Sequence, residues 1–446
     1  MGKGTPLVLI GIVAGGIALR FAGLDAQSFW RDEASTALEL HGSLGHALTS
    51  VRDLEGMPPG YFGLAWLWSR PFGVSEAGLR SLSALIGVLT IPVAWHLGRV
   101  WSARAGLIAA ALVAFNPFLV WYSQEARPYP LLVLTTALTV LCLVRDRRGW
   151  WAVAAAAALL THYFAVFILA PQAYVLWRRG AWRALIAPAV VGAALLPLLA
   201  SQHDNRVNWV RGTGLWERVV DTGKHWIAGE FGTPVNGIGL IALALIVTGL
   251  VVAGRDARAR VLLGVIAAAL ILPLLAVVAG QDYVLDRYVI AALFPLLVTV
   301  AVGLDQIRRT VAATAALSAL FAGFALTAAF DHELQRENWR AVARGVPDTL
   351  IIATDDAVPP MQWYLPGTAA AADPQTVDEV VFVASWRIGK PRAPTPPTPN
   401  GFRPPIRHDG PTTTVVRFTA PAPMPVDLNQ LLSVWTPGSF ALHTGR

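Results

Sequence analysis

Long apolar runs recur down this chain, and short segments crowded with arginine stand between many of them. No other feature limits the fold as strongly. The runs fall at about residues 6–23, 77–99, 106–122, 129–144, 150–162, 164–177, 184–200, 237–253, 261–279, 288–304 and 311–330. About 20 apolar residues in a helix cross the hydrocarbon core of a bilayer. Of all residues 55% are hydrophobic and 14% charged, whereas soluble domains carry about a quarter charged. The pattern predicts an all-α polytopic membrane protein with about eleven transmembrane helices. Several are short enough to require tilt or local thinning. A β-barrel is excluded, because it would need short alternating segments. The single cysteine, Cys142, lies inside an apolar run and leaves no disulfide framework or cysteine metal site. Arg20 and the lack of a small-x-small cleavage site make the first run an uncleaved span.

Charge sets the expected sidedness. With the N-terminus in the cytoplasm, the cytoplasmic segments are 99–105, 145–149, 178–183, 254–260 and 305–309. Together with Lys3 they hold 14 basic and 3 acidic residues. The segment 24–57 faces the other side and holds six acids and two arginines. That is the positive-inside pattern, and it accounts for the net charge of +7 without nucleic acid. It requires that PPGYFGLAWLWSRPFG, residues 58–73, form an interfacial or re-entrant helix and not a span. Residues 34–50 read as an amphipathic surface helix, capped by Ser28 or Asp32.

After residue 330 the composition changes. DTLIIATDDA, DEVVFVASW and TTTVVRFTA read as strands, NWRAVARGV as a helix, and 390–405 as a Pro-rich linker. The expected organisation is a membrane domain 1–330, with an outer loop 24–76, followed by a small α/β extracytoplasmic domain 331–446. Deleting that domain is expected to spare donor hydrolysis and to cut transfer to the acceptor.

Four polar clusters fall on the expected outer face: Asp32 and Glu33 with Asp53 and Glu55, SQEARPYP at 123–130, THY at 161–163, and QDYVLDRY at 281–288. Acids and arginines at membrane depth are costly unless they pair or line water. For any one of them interfacial anchoring is the plainer account, but four clusters on one face suit a site. An enzyme outside the cytoplasm lacks nucleotide sugars, so its activated group arrives on lipid. A polyprenyl-phosphate sugar meets that need. The acceptor hydroxyl needs a general base, which a carboxylate supplies, and the departing phosphate needs compensating positive charge.

At these residues the chain resembles the C-type glycosyltransferases of the protein O-mannosyltransferase and aminoarabinose-transferase group. The resemblance rests on WRDEA, MPPGYFGLAWLW, SEAGLRSLSALIGVLTIPVAWHLGR, NPFLVWYSQEARPYPLLVL, LLTHYFAVFILAPQ and DRYVIAALFPLLV, in that order. It implies an inverting transfer from a lipid-phosphate sugar, with Asp32 as the base and Glu33 beside it sharing the role or orienting the acceptor. Glu125 matches the second-loop acid and would position hydroxyls, with Arg127 and Tyr129 following in the same segment as substrate-binding residues. Arg287 matches a basic position suited to clamp the lipid phosphate, with Tyr288 packed beside it. His162 would contact phosphate or a metal. Glu55 stands where some relatives place a metal-linked acid, but EGMPPGY lacks the His or Lys often found before the Pro pair. No cofactor is identified, and a divalent metal stays open. The sugar is mannose or a pentose, and the acceptor is a protein or a glycan. The location expected is the bacterial plasma membrane, with the active site and C-terminal domain outside. A flippase for a polyprenyl-linked glycan, and a scaffold whose outer domain does the work, remain alternative readings.

Overall fold

The computed structural model describes residues 5–202, 210, 212–230, 237–331, 334–346, 349–372, 375–386, 392–435 and 439–444. Lys3 and linker residues 390–391 lie outside them. In chain order the first helices are α1 (Thr5–Phe21), α2 (Arg31–Leu40), α3 (Leu44–Leu54), α4 (Gly60–Phe72), α5 (Glu76–Gly98) and α6 (Ala103–Phe115). Next come α7 (Pro117–Ser123), α8 (Tyr129–Val144), α9 (Arg148–Thr161), α10 (Ala165–Arg178), α11 (Ile186–Ser201) and α12 (Leu215–Ala228). The last are α13 (Gly237–Ala253), α14 (Ala257–Val278), α15 (Leu293–Leu304), α16 (Thr310–Phe330), α17 (Trp339–Gly345), α18 (Val358–Tyr364) and α19 (Leu428–Val434).

Two compact units emerge. One holds residues 1–24 and 42–330, and the other holds 25–41 with 331–446. The outer loop expected to belong wholly to the membrane domain is thus divided, because α2 packs on α18 within the second unit.

In the first unit every expected apolar segment is helical. Among the described residues four helices are long and apolar enough to cross a membrane, or five if the bent pair α6–α7 is one span. Five more are apolar but shorter. The count of eleven crossings is thus not confirmed by length and composition, since a helix of 14 residues reaches only about 21 Å. Helix α4, over the PPGYF segment, has 13 residues.

Local chemistry starts these helices. Ser43, Ser75, Ser102, Asn116 and Asp256 each accept a backbone N–H from the first turn that follows. Pro117 bends the α6–α7 pair by 57°, since proline has no N–H to donate and disfavours helix in the residue before it. Arg20 meets the carbonyls freed there. Buried at the end of α1, it donates to Val113 O at 3.0 Å, Ala114 O at 2.7 Å and Ser123 Oγ at 3.2 Å.

The second unit is built on a six-stranded sheet with order β2-β6-β1-β3-β5-β4. Its strands are β1 (Leu350–Thr354), β2 (Thr368–Ala370), β3 (Gln375–Ser385), β4 (Ile406–Asp409), β5 (Thr413–Val426) and β6 (Ser439–Thr444). Strands β1 and β3 run parallel, and the other pairs are antiparallel. The three expected strands are β1, β3 and β5, and the expected helix is α17.

Two readings of the loop 24–57 need correction. The single surface helix is two helices, α2 and α3, interrupted at residues 41–43. The N-cap of α2 is Trp30, with no side-chain cap. Ser28 serves a different helix: its Oγ accepts the Trp339 N–H at 3.0 Å at the start of α17 and donates to Glu337 O at 2.6 Å.

Candidate functional site

In the second unit Asp32 and Glu33 occupy the first turn of α2, where unpaired backbone N–H groups favour negative charge. Glu33 is fully buried and Asp32 is half-buried. Their segment is well tied within that unit. Phe29 N donates to Tyr364 Oη at 2.7 Å, the Phe29 ring meets Trp363 edge-on at 5.8 Å, and Arg31 Nη2 pairs with Asp355 at 2.5 Å. The two carboxylates thus stand on a short, braced helix and not on a free loop.

The other expected residues belong to the first unit. Arg127 is buried between α7 and α8, and Glu55 grips it with two bonds, Nη1 to Oε1 at 2.7 Å and Nη2 to Oε2 at 3.0 Å. The Arg127 backbone N–H donates to the Glu125 carbonyl at 2.8 Å while its guanidinium goes to Glu55. Glu125 is itself buried. Ser83 Oγ donates toward Arg127 O at 3.5 Å and lies 3.1 Å from Tyr61 Oη.

A chain of rings runs on from there. Tyr129 opens α8, and its ring lies 4.9 Å from Tyr122 and 5.9 Å from His162. His162 follows the last residue of α9 and is buried. Its Nδ1 accepts the Phe164 N–H at 3.2 Å, which leaves the proton of the neutral ring on Nε2. Tyr288 lies 4.3 Å from Phe164 and 6.2 Å from His162, with the Arg287 guanidinium 5.8 Å from its ring. Tyr129, His162 and Tyr288 are therefore brought together, and Arg287 borders them.

Two further residues at this end of the unit, His225 and Glu230, were not picked out from sequence, and Asp286 was marked only by its stretch. Tyr122 Oη donates to Glu230 Oε2 at 2.7 Å, and His225 Nδ1 lies 2.5 Å from Asp286 Oδ2. The Arg287 backbone N–H donates to Asp286 Oδ1 at 2.6 Å. Burial pushes the Glu230 carboxyl up to about 7, reinforced by the charge of Asp286. Burial works against charge on Asp286 and on His225 as well. Their mutual hydrogen bond and opposite charges prevail, holding Asp286 below the usual carboxylate range and His225 above the usual imidazole value. Helix α12 holds His225 in place. Asn116 Nδ2 donates to Trp226 O at 2.9 Å, and Arg218 forms two bonds with Asp282, at 2.8 and 2.6 Å. Only Asp286 carried a signal, since it stands in the polar QDYVLDRY stretch. His225 looks like one polar residue on an amphipathic helix, and Glu230 is an isolated acid after Gly229.

Residues 57–202 match the family described as dolichyl-phosphate-mannose-protein mannosyltransferase. Among curated proteins none matches in sequence. ArnT from Cupriavidus metallidurans bound to undecaprenyl phosphate is similar in fold, with 13% identity, TM-score 0.59 and coverage of 94% of this chain and 98% of that one. The same protein in the apo state aligns at 18% identity and TM-score 0.51, over 75% of this chain and 68% of that one. At these identities the solved structures speak for the fold, and the family match adds the sequence of 57–202. In motif order, family match and fold, the chain resembles the C-type glycosyltransferases of the protein O-mannosyltransferase and aminoarabinose-transferase group, and its enzyme class is glycosyltransferase.

Proposed function

We propose that this protein transfers a sugar, mannose or a pentose, from a polyprenyl-phosphate donor to an acceptor hydroxyl at the extracytoplasmic face of the bacterial plasma membrane. Asp32 takes the acceptor proton as the acceptor oxygen bonds to the anomeric carbon. The bond from that carbon to the phosphate oxygen breaks, and its electron pair leaves with the polyprenyl phosphate. One displacement inverts the anomeric centre, so one base suffices, unlike the two-carboxylate scheme of hydrolases. Glu33 orients the acceptor, and Glu125 positions hydroxyls of acceptor or sugar. Arg287 offsets the charge that develops on the phosphate, with Tyr288 packed beside it. His162 offers its Nε2–H to a phosphate oxygen. Tyr129, Arg127 and Glu55 line the substrate-binding region, the last two joined to each other.

The observation that supports this reading most is the polar and aromatic set of the first unit. Tyr129, His162, Tyr288 and Arg287 come from three stretches of sequence and lie on one series of ring contacts, while the guanidinium of Arg127 is held by Glu55. Arginines such as the buried Arg127 and the half-buried Arg287 are costly in a membrane protein and mark a working site more often than a scaffold.

The test uses protein purified in detergent and a panel of radiolabelled polyprenyl-phosphate sugars. Wild type is expected to release or transfer the sugar of one donor. Asp32→Asn is expected to bind that donor with unchanged affinity and to lose turnover by at least about a hundredfold, the lower end of what a general base contributes. Unchanged turnover in the variant removes Asp32 from its role. Donors that bind without turnover in the wild type would replace transfer with carriage of the lipid-linked sugar.

A further inference from the structure

The set formed by His225, Glu230 and Asp286 is not used by the transfer step. One ligand-type atom from each residue lies within 4.8 Å of the others. They come from the last turn of α12, from the residue after Gly229, and from the loop ahead of α15. Asp286 is buried, and the other two are half-buried. Two carboxylates held this close repel each other, and burial strengthens that repulsion by lowering the local dielectric. The existing hydrogen bonds answer only part of it: His225 and the Arg287 N–H take the oxygens of Asp286, and Tyr122 takes one oxygen of Glu230. A cation placed among the three would neutralise both carboxylates at once.

We propose that His225, Glu230 and Asp286 form a binding site for a divalent transition-metal ion. One imidazole nitrogen and two carboxylate oxygens suit Zn²⁺ or Mn²⁺ and leave at least one coordination position open. Mg²⁺ and Ca²⁺ prefer all-oxygen shells. Tyr122, bonded to Glu230 Oε2, fixes the carboxylate that binds the ion, as outer-sphere partners do. Binding displaces the proton held between His225 and Asp286, which passes to solvent. The ion cross-links α12 and the turn after it to the loop before α15, beside the Arg218–Asp282 pair. This inference does not depend on the transfer reading, since the ion can be present whether or not a sugar is moved.

The test uses the full chain in detergent, stripped with a chelator and dialysed against ZnCl₂ or MnCl₂. Bound ions per chain are counted by atomic spectrometry, with thermal unfolding followed in parallel. Wild type is expected to bind one ion saturably and to unfold at a higher temperature when it does. Glu230→Gln and Asp286→Asn are each expected to weaken binding by more than about tenfold. Asp146→Asn, an exposed acid paired with Arg148, is expected to change nothing. Absence of saturable binding in the wild type overturns the proposal without recourse to any variant. So does wild-type affinity in both ligand variants, or a preference for Mg²⁺ over both transition ions.

Discussion

Arg127 shows what one residue's sequence neighbourhood conveys and what it does not. Its place in SQEARPYP marked it as a charged group beside an apolar helix. Its partner, Glu55, lies 72 residues earlier in the chain. The pair is almost wholly buried, with side-chain exposures of 2% and 9%. Glu55→Gln removes the charge that meets the Arg127 guanidinium through two bonds, and is expected to lower stability by about 3–5 kcal/mol. Replacing both, as Glu55→Gln with Arg127→Met, is expected to recover most of that loss. Chemical unfolding of the single and double variants in detergent checks it, and strict additivity would show the two side chains to be uncoupled. The candidate acids at 32, 33 and 125 were legible because carboxylates are conspicuous beside apolar runs. His225 and Glu230 were not, because nothing local separates a member of a partly buried cluster from a solvated polar residue.

At the scale of elements, apolar content located the helices of the first unit well. Helix α12 escaped because it is amphipathic and carries charges along its length. Strands β2, β4 and β6 escaped because TAA, IRHD and SFALHT show no sustained alternation. They are strands through pairing, β6 filling the place between β2 and β1. Close helix packing is likewise set by small residues whose partners are distant. A Cβ on Gly303 of α15 would fall against the Gly249 carbonyl of α13. Gly303→Ala is therefore expected to cost at least about 2 kcal/mol, since backbone must move to admit the methyl. Gly264→Ala in α14, where a Cβ meets nothing within 4 Å, is expected to be neutral or stabilising by up to about 1 kcal/mol. Thermal unfolding of the two variants gives the comparison, and equal midpoints would remove the close approach as a constraint.

At the scale of the molecule, the assignment of residues 25–41 to the second unit changes an expectation about truncation. From sequence alone, losing the C-terminal domain is expected to cut transfer to the acceptor and to spare donor hydrolysis. In the structure that domain also carries the contacts of α2: Tyr364 to Phe29 N, Asp355 to Arg31, and the Ser28 bonds at the start of α17. A chain ending at residue 330 is therefore expected to lose donor hydrolysis and transfer together, while a folded membrane domain is still recovered from detergent. Radiolabelled-donor turnover by the truncated chain decides the point. Hydrolysis at the wild-type rate would mean that α2 stays in place without its unit.

The sequence by itself determined the helical membrane architecture, the place of nearly every helix and the resemblance to the C-type glycosyltransferases. Hydropathy, periodicity and motif order are local along the chain, so they can be read without knowing how it folds. Only the tertiary structure decided that Arg127 answers Glu55, that Arg20 meets the carbonyls freed by Pro117, that α2 belongs with the C-terminal sheet, and that His225, Glu230 and Asp286 converge. Each of these joins segments tens to hundreds of residues apart. Such contacts arise when the whole chain closes on itself, and no short stretch of it carries their partners' names.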